Sequence, residues 1–142
     1  KINTGSPHMI RFVENVNRYT VAEEGRKILY SETYKEKGIN VNFVELLPNN
    51  TIFVRTYERG VENETLSCGT GVTAAALAVS QKGYSSPVSI NTLGGELSVE
   101  FRFTPLAGEQ GQSVLPTRQA GTFHDIFLVG PAKMVFEGDL EL

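Results

Sequence analysis

One segment constrains the fold more than any other: residues 71–82 read GVTAAALAVSQK, apolar or small almost all round until Gln81 and Lys82. A helix without a charged face must be covered on most sides, and small side chains let neighbouring strands come close. The spacing predicts a central helix over 71–82 with Gly83 as its C-cap. Just upstream, Glu64-Thr65-Leu66-Ser67-Cys68-Gly69-Thr70-Gly71 puts the only cysteine of the chain at a glycine-rich turn that opens this helix. Backbone N–H groups at a helix N-terminus stabilise negative charge, so a thiolate is favoured at such a turn and a carboxylate can dock beside it. Taken alone, a single cysteine is as often a small buried hydrophobe, and glycine near a helix end can serve packing only.

The remaining segments supply strands to cover the helix. Residues 9–13 alternate and are rich in strand formers, leading out of a Pro7-His8 turn. Residues 21–30 set Val21, Ile28 and Leu29 among mostly charged neighbours, as a short amphipathic helix does, with a competing strand pattern around Ile28-Leu29-Tyr30. Two strands, 39–47 and 52–57, flank the turn Pro48-Asn49-Asn50, and a second pair, 88–90 and 97–101, flanks Gly94-Gly95. The stretch 104–121 is rich in Gly, Gln, Pro and Ser and predicts a long loop. Strands at 125–129 and 133–136 then close the chain around Gly130-Pro131. The expected fold class is α+β: one domain over residues 1–142, a curved mixed or antiparallel β-sheet wrapped around a central α-helix.

A second feature points to a ligand. In Arg55-Thr56-Tyr57-Glu58-Arg59-Gly60, an acidic and a basic side chain sit together at a strand end. Such a pair near a helix mouth suits a zwitterion, because guanidinium binds carboxylate bidentately and carboxylate binds ammonium. By themselves, Glu58 and Arg59 would more often be a solvated surface pair. The chain of 142 residues is 40% hydrophobic and carries a net charge of −3, enough for one core and without the basic cluster that nucleic acid requires. One cysteine excludes an intrachain disulfide, no apolar run is long enough to span a bilayer, and no signal peptide is read, so a cytoplasmic location is expected.

Together these segments resemble the diaminopimelate epimerase family. Tyr57-Glu58-Arg59-Gly60, then Glu64-Thr65, then Cys68-Gly69-Thr70-Gly71 is similar to its signature segment. Thr4-Gly5-Ser6-Pro7-His8 resembles its Gly-Asn-Pro-His turn, residues 38–43 its asparagine-bearing strand, and Gly130-Pro131-Ala132 with residues 135–138 its closing hairpin. Nearly the whole chain is covered, but only by the second half of the family pattern. The resemblance therefore implies the C-terminal half of a two-fold pseudo-symmetric fold, with a second cysteine on an N-terminal half. It also implies a small-molecule amino-acid substrate, no cofactor and no metal, and allows a homodimer.

Inversion at an amino-acid α-carbon explains the residue types. A proton leaves one face and another arrives on the opposite face, which without a cofactor needs an acid and a base on the two sides. By resemblance, Cys68 is one of these groups, and Gly69 and Thr70 hold the adjacent carboxylate through backbone N–H groups and the threonine hydroxyl. Arg59 corresponds to the residue for the distal carboxylate, Glu58 and Asn40 to those reading the distal amino-acid centre, and His8 with Glu58 to residues that tune the thiols. Ser6 stands where the family commonly has asparagine, which puts direct substrate contact by Ser6 in doubt because serine has the shorter reach. Two other classes stay open here: a proline racemase or hydroxyproline epimerase, which has no evident use for Arg59, and a non-catalytic binding or assembly module.

Overall fold

Val41, Asn42, Phe43 and Val44 are consecutive and all buried, which a strand achieves only when both of its faces are covered. The computed structural model, which describes residues 1–106, 120–132, 134 and 137–138, shows what covers them. Its strands are β1 (Ile2–Asn3), β2 (Pro7–Phe12), β3 (Asn40–Leu47), β4 (Thr51–Glu58), β5 (Asn63–Thr65), β6 (Val88–Thr92), β7 (Gly95–Pro105) and β8 (Gly121–Val129). Two helices, α1 (Val21–Leu29) and α2 (Gly69–Ser80), and a 3₁₀ turn over Val16–Arg18 complete the described elements. The strands form one sheet in the order β1-β2-β3-β4-β6-β7-β8, with β5 paired to the end of β4.

Alternation along β3 and β4 assigns the two faces. Val41, Phe43 and Tyr57 join Val16, Val21, Leu29 and Ile39 in a cluster under α1. Val44, Ile52 and Val54 join Val72, Ala75, Ala76 and Val79 of α2, and Val88, Ile90, Val99 and Phe101 extend that cluster across the sheet. α2 touches β1, β2, β3, β4, β6, β7 and β8, so the sheet curls around it as its uncharged composition requires. α1 lies on the other face, with Gly25 close against Tyr57; a methyl group there would overlap the ring. Its outward side carries Lys27, paired with Glu23 at 2.7 Å and Glu24 at 2.9 Å.

The sheet is mixed. β2 runs parallel to β3 and β4 parallel to β6, with α1 and α2 in the respective crossovers, whereas β3–β4, β6–β7 and β7–β8 are antiparallel. Asn49 and Asn50 take φ of 58° and 57° in the β3–β4 turn, the left-handed region that asparagine tolerates. A half-buried clamp ties the α1 face together: Arg55 donates through Nε and Nη2 to the Glu64 carboxylate at 2.5 and 2.6 Å. Its Nη1 donates to the carbonyls of Val16 at 2.7 Å and Tyr19 at 3.1 Å.

Several boundaries differ from those expected. α2 begins at Gly69, two residues early, because Cys68 is extended and already accepts the first helical bond from the Val72 N–H. β7 runs to Pro105 and β8 starts at Gly121, so both ends of the stretch expected as a loop are paired strand. Residues 107–119 of that stretch, and 133, 135 and 136 of the expected closing strand, lie outside the described residues. β1 and β5 were not expected, being two and three residues long, too short to show alternation. Among the described residues no helix is long and apolar enough to cross a membrane.

Candidate active site

The polar end of the α2 cradle is where the chemistry gathers. On β3 the face toward α2 changes from Val44 to Asn42 and Asn40, and on β4 from Val54 to Thr56 and Glu58, so carboxamides, a hydroxyl and a carboxylate meet the N-terminus of the helix. β2 contributes His8, paired in register with Asn40. Cys68 is the N-cap of α2 and is 7% exposed. Gly69, Thr70 and Gly71 precede the first helical hydrogen bond, and their N–H groups therefore have no acceptor within the helix.

A chain of short contacts links the sulfur to the sheet. Cys68 Sγ lies 3.6 Å from Thr70 Oγ1, which lies 3.0 Å from His8 Nε2. Ser6 Oγ is 2.9 Å from the same His8 nitrogen and 3.3 Å from Thr70 Oγ1, and it accepts from Asn40 Nδ2 at 3.2 Å. On the far side of the imidazole, Asn42 Nδ2 is 3.1 Å from His8 Nδ1, and Thr56 donates to Asn42 Oδ1 at 2.9 Å. His8, Asn42 and Thr56 are all sealed from solvent. Burial, and secondarily the Arg59 guanidinium, push the His8 imidazole below its ordinary pKa of 6.5. Both effects favour the neutral ring, and burial behind Thr70 and Ser6 keeps His8 from reaching a ligand itself.

Gly71 makes this approach feasible. A methyl group on it would overlap Asn42 Oδ1 and stand 3.3 Å from both Cβ and Sγ of Cys68. Arg59, exposed just past β4, donates its backbone N–H to Asn40 Oδ1 at 2.9 Å and one guanidinium N–H to the Lys37 carbonyl at 2.7 Å. The residues expected from sequence therefore assemble in two parts: Ser6, His8, Asn40, Thr70 and Cys68 by hydrogen bonds, with Glu58 and Arg59 following on the end of β4. Asn42, Thr56 and Gly71 were missed as site residues. The signal for Asn42 was present, since an amide two positions from Asn40 shares its face.

Beside the helix N-terminus a groove of about 840 Å³ runs between the two edges of the curled sheet. Gly69, Thr70 and Thr73 line one side and Phe123, Ile126 and Leu128 the other. An exposed glycine and threonine at a helix mouth, a cysteine and an apolar trough can together hold a carboxylate and move a proton next to it.

The family described as diaminopimelate epimerase matches residues 1–105 of this chain. The chain belongs to that family. It is 44% identical over 138 residues to a diaminopimelate epimerase of Flavobacterium psychrophilum, covering 96% of this chain and 48% of that protein. To the diaminopimelate epimerase of Aquifex aeolicus it is 42% identical over 142 residues, covering 98% of this chain and 44% of that one. The chain thus spans about half the length of these relatives. A Bacillus anthracis phenazine biosynthesis protein of the PhzF family shares the fold alone: TM-score 0.51 at 22% identity, over 73% of this chain and 33% of that one.

Proposed function

We propose that this chain is the C-terminal half of a cofactor-independent diaminopimelate epimerase, and that the complete protein interconverts the LL and meso forms in the cytoplasm. The observation that carries the reading is Cys68 at the N-cap of α2, followed at once by two residues whose N–H groups have no helical acceptor. In this mechanism the Cys68 thiolate takes the α-proton, and the electron pair of the broken C–H bond moves toward the neighbouring carboxylate. Gly69 and Thr70 N–H groups, at the positive end of the helix, receive the charge that develops there. The proton that completes inversion comes from the opposite face. The sequence holds no second cysteine, so that donor belongs to the N-terminal half.

Arg59 takes the distal carboxylate, and Glu58 and Asn40 the distal ammonium centre. His8 and Ser6 act from behind, holding the Thr70 hydroxyl. The test compares the complete protein with the 142-residue chain for LL-to-meso conversion and for α-proton exchange in deuterated water. The complete protein is expected to convert diaminopimelate and to lose this with Cys68→Ser, while the chain alone gives no inversion. Inversion by the chain alone would overturn the two-thiol mechanism. Turnover of proline in place of diaminopimelate would overturn the substrate.

A further inference from the structure

We propose that Asn42 and Thr56 are positioning residues that fix His8 as the neutral tautomer with its proton on Nε2, so that the imidazole donates to the Thr70 and Ser6 hydroxyls and leaves the Thr70 proton free for the Cys68 sulfur. The inference deepens the proposed function, resting on Cys68 as the acid/base group.

The direction of each hydrogen bond follows from one fixed point. Asn42 Nδ2 lies 3.2 Å from the Met9 carbonyl, which can only accept, so the amide nitrogen is on that side and Oδ1 faces Thr56. The same Nδ2 is 3.1 Å from His8 Nδ1. A donor opposite Nδ1 requires that nitrogen to carry a lone pair, and a neutral imidazole then bears its hydrogen on Nε2. That N–H points between two hydroxyl oxygens, Ser6 at 2.9 Å and Thr70 at 3.0 Å. With its oxygen accepting from His8, Thr70 keeps its own hydrogen for Cys68 Sγ at 3.6 Å. Donors therefore run in one sense from Thr56 through Asn42, and from His8 through Thr70, toward the sulfur.

No solvent can substitute for these partners, because His8 and Asn42 are 0% exposed and Thr56 is 2% exposed. An imidazolium would set an N–H on Nδ1 against the Asn42 amide N–H₂, donor against donor. The charged group that acts on the ring is Arg59, just past the end of β4, and the titratable Cys68 at the N-cap of α2 is linked to it through Thr70; Ser6, Asn40 and Asn42 do not titrate. Burial of the ring and the nearby Arg59 cation both favour the neutral form.

Long-range ¹H–¹⁵N correlation of the histidine rings tests this directly, since the 142-residue chain has only His8 and His124. The wild-type chain is expected to show His8 with Nδ1 bare and Nε2 protonated at neutral pH and above. Asn42→Asp puts an acceptor opposite Nδ1 and is expected to protonate it at pH 7. Thr56→Val removes one of the two groups that hold the amide, leaving the Met9 carbonyl alone to orient it, and is expected to mix the tautomers, with Thr56→Ser restoring the single form. In the complete protein, Asn42→Asp is expected to lower kcat by roughly tenfold or more with KM little changed, and to shift the pH profile. A wild-type His8 protonated on Nδ1, or tautomers indifferent to Asn42→Asp and Thr56→Val in chains that keep native ¹⁵N dispersion, would overturn the proposal. The ring spectra do not depend on catalysis. The expected tautomers in a complete protein inert toward diaminopimelate would support the positioning role and sink the functional reading alone.

Discussion

Gly71→Ala sets two physical effects against each other. Replacing glycine by alanine within a helix gains up to about 1 kcal/mol of propensity. Here, however, the new methyl would overlap Asn42 Oδ1 on one side and stand 3.3 Å from Cys68 Cβ and Sγ on the other. Crowding a filled core costs about 1–3 kcal/mol, and escape by moving the amide leaves buried His8 Nδ1 and the Thr56 hydroxyl unpaired at about 1–3 kcal/mol each. The cheaper route, crowding, costs at least as much as the helical gain, and once that gain is subtracted a net loss of about 0–2 kcal/mol is expected. Urea unfolding of the chain reads it as a lower midpoint at unchanged slope. A double-mutant cycle with Asn42→Ala sharpens the reading, because removing the amide makes room and should turn the Gly71→Ala effect neutral or favourable. Equal destabilisation in both backgrounds, or a more stable single variant, would refute close approach of α2 to β3 as the reason for glycine.

Three further outcomes follow from named contacts. The folded-state pKa of His8 lies below its unfolded value of 6.5, so the unfolded chain binds the proton more readily between the two. Stability is therefore intact above about pH 6.5 and falls as pH drops through that window, by at most about 1.4 kcal/mol per pH unit, and His8→Gln should flatten this slope; identical slopes would exclude His8 as its source. Arg55→Met leaves the Glu64 carboxylate and the Val16 and Tyr19 carbonyls without their donor and should destabilise by about 3–5 kcal/mol in urea unfolding, with Glu64→Gln milder. In the complete protein, Arg59→Ala should reduce kcat/KM for diaminopimelate by an amount equivalent to about 2–5 kcal/mol, and wild-type kinetics would remove Arg59 from the substrate site.

What the sequence reveals depends on whether burial leaves a mark on composition. α2 was legible because a helix covered on nearly every side cannot carry charges, and α1 because its charged residues fall on one side. The β3–β4 and β6–β7 hairpins announced themselves through Asn49-Asn50 and Gly94-Gly95. Strand direction left no such mark: alternation on β2 and β6 is the same whether the neighbour runs parallel or antiparallel, so only the crossovers through α1 and α2 decide it. Cys68, His8, Thr70, Ser6 and Asn40 could be singled out by type and resemblance. Asn42 carried a partial signal by sharing a face with Asn40, whereas Thr56 could not be singled out, because a buried hydroxyl reads as an ordinary solvent-facing position until its partner is known.

The same small residues that let the sheet close around α2 also decide where chemistry can occur. Along β3 and β4 the face toward the helix passes from Val44 opposite Val54 to Asn42 opposite Thr56, a change of polarity that follows the helix toward its N-terminus. Polar groups are tolerable there only if each finds a partner, since no water reaches His8, Asn42 or Thr56. They do: among the described residues the buried side-chain polar atom without a partner is Thr65 Oγ1, outside this network. The network is satisfied only because Gly71 allows the first turn of α2 to descend onto Asn42, which also brings Thr70 to His8 and Cys68 to Thr70. Core packing and thiol placement are therefore one constraint. A substitution that lifts the first turn of α2 from β3 must disturb the hydrogen-bond donor facing Cys68 along with the stability of the fold.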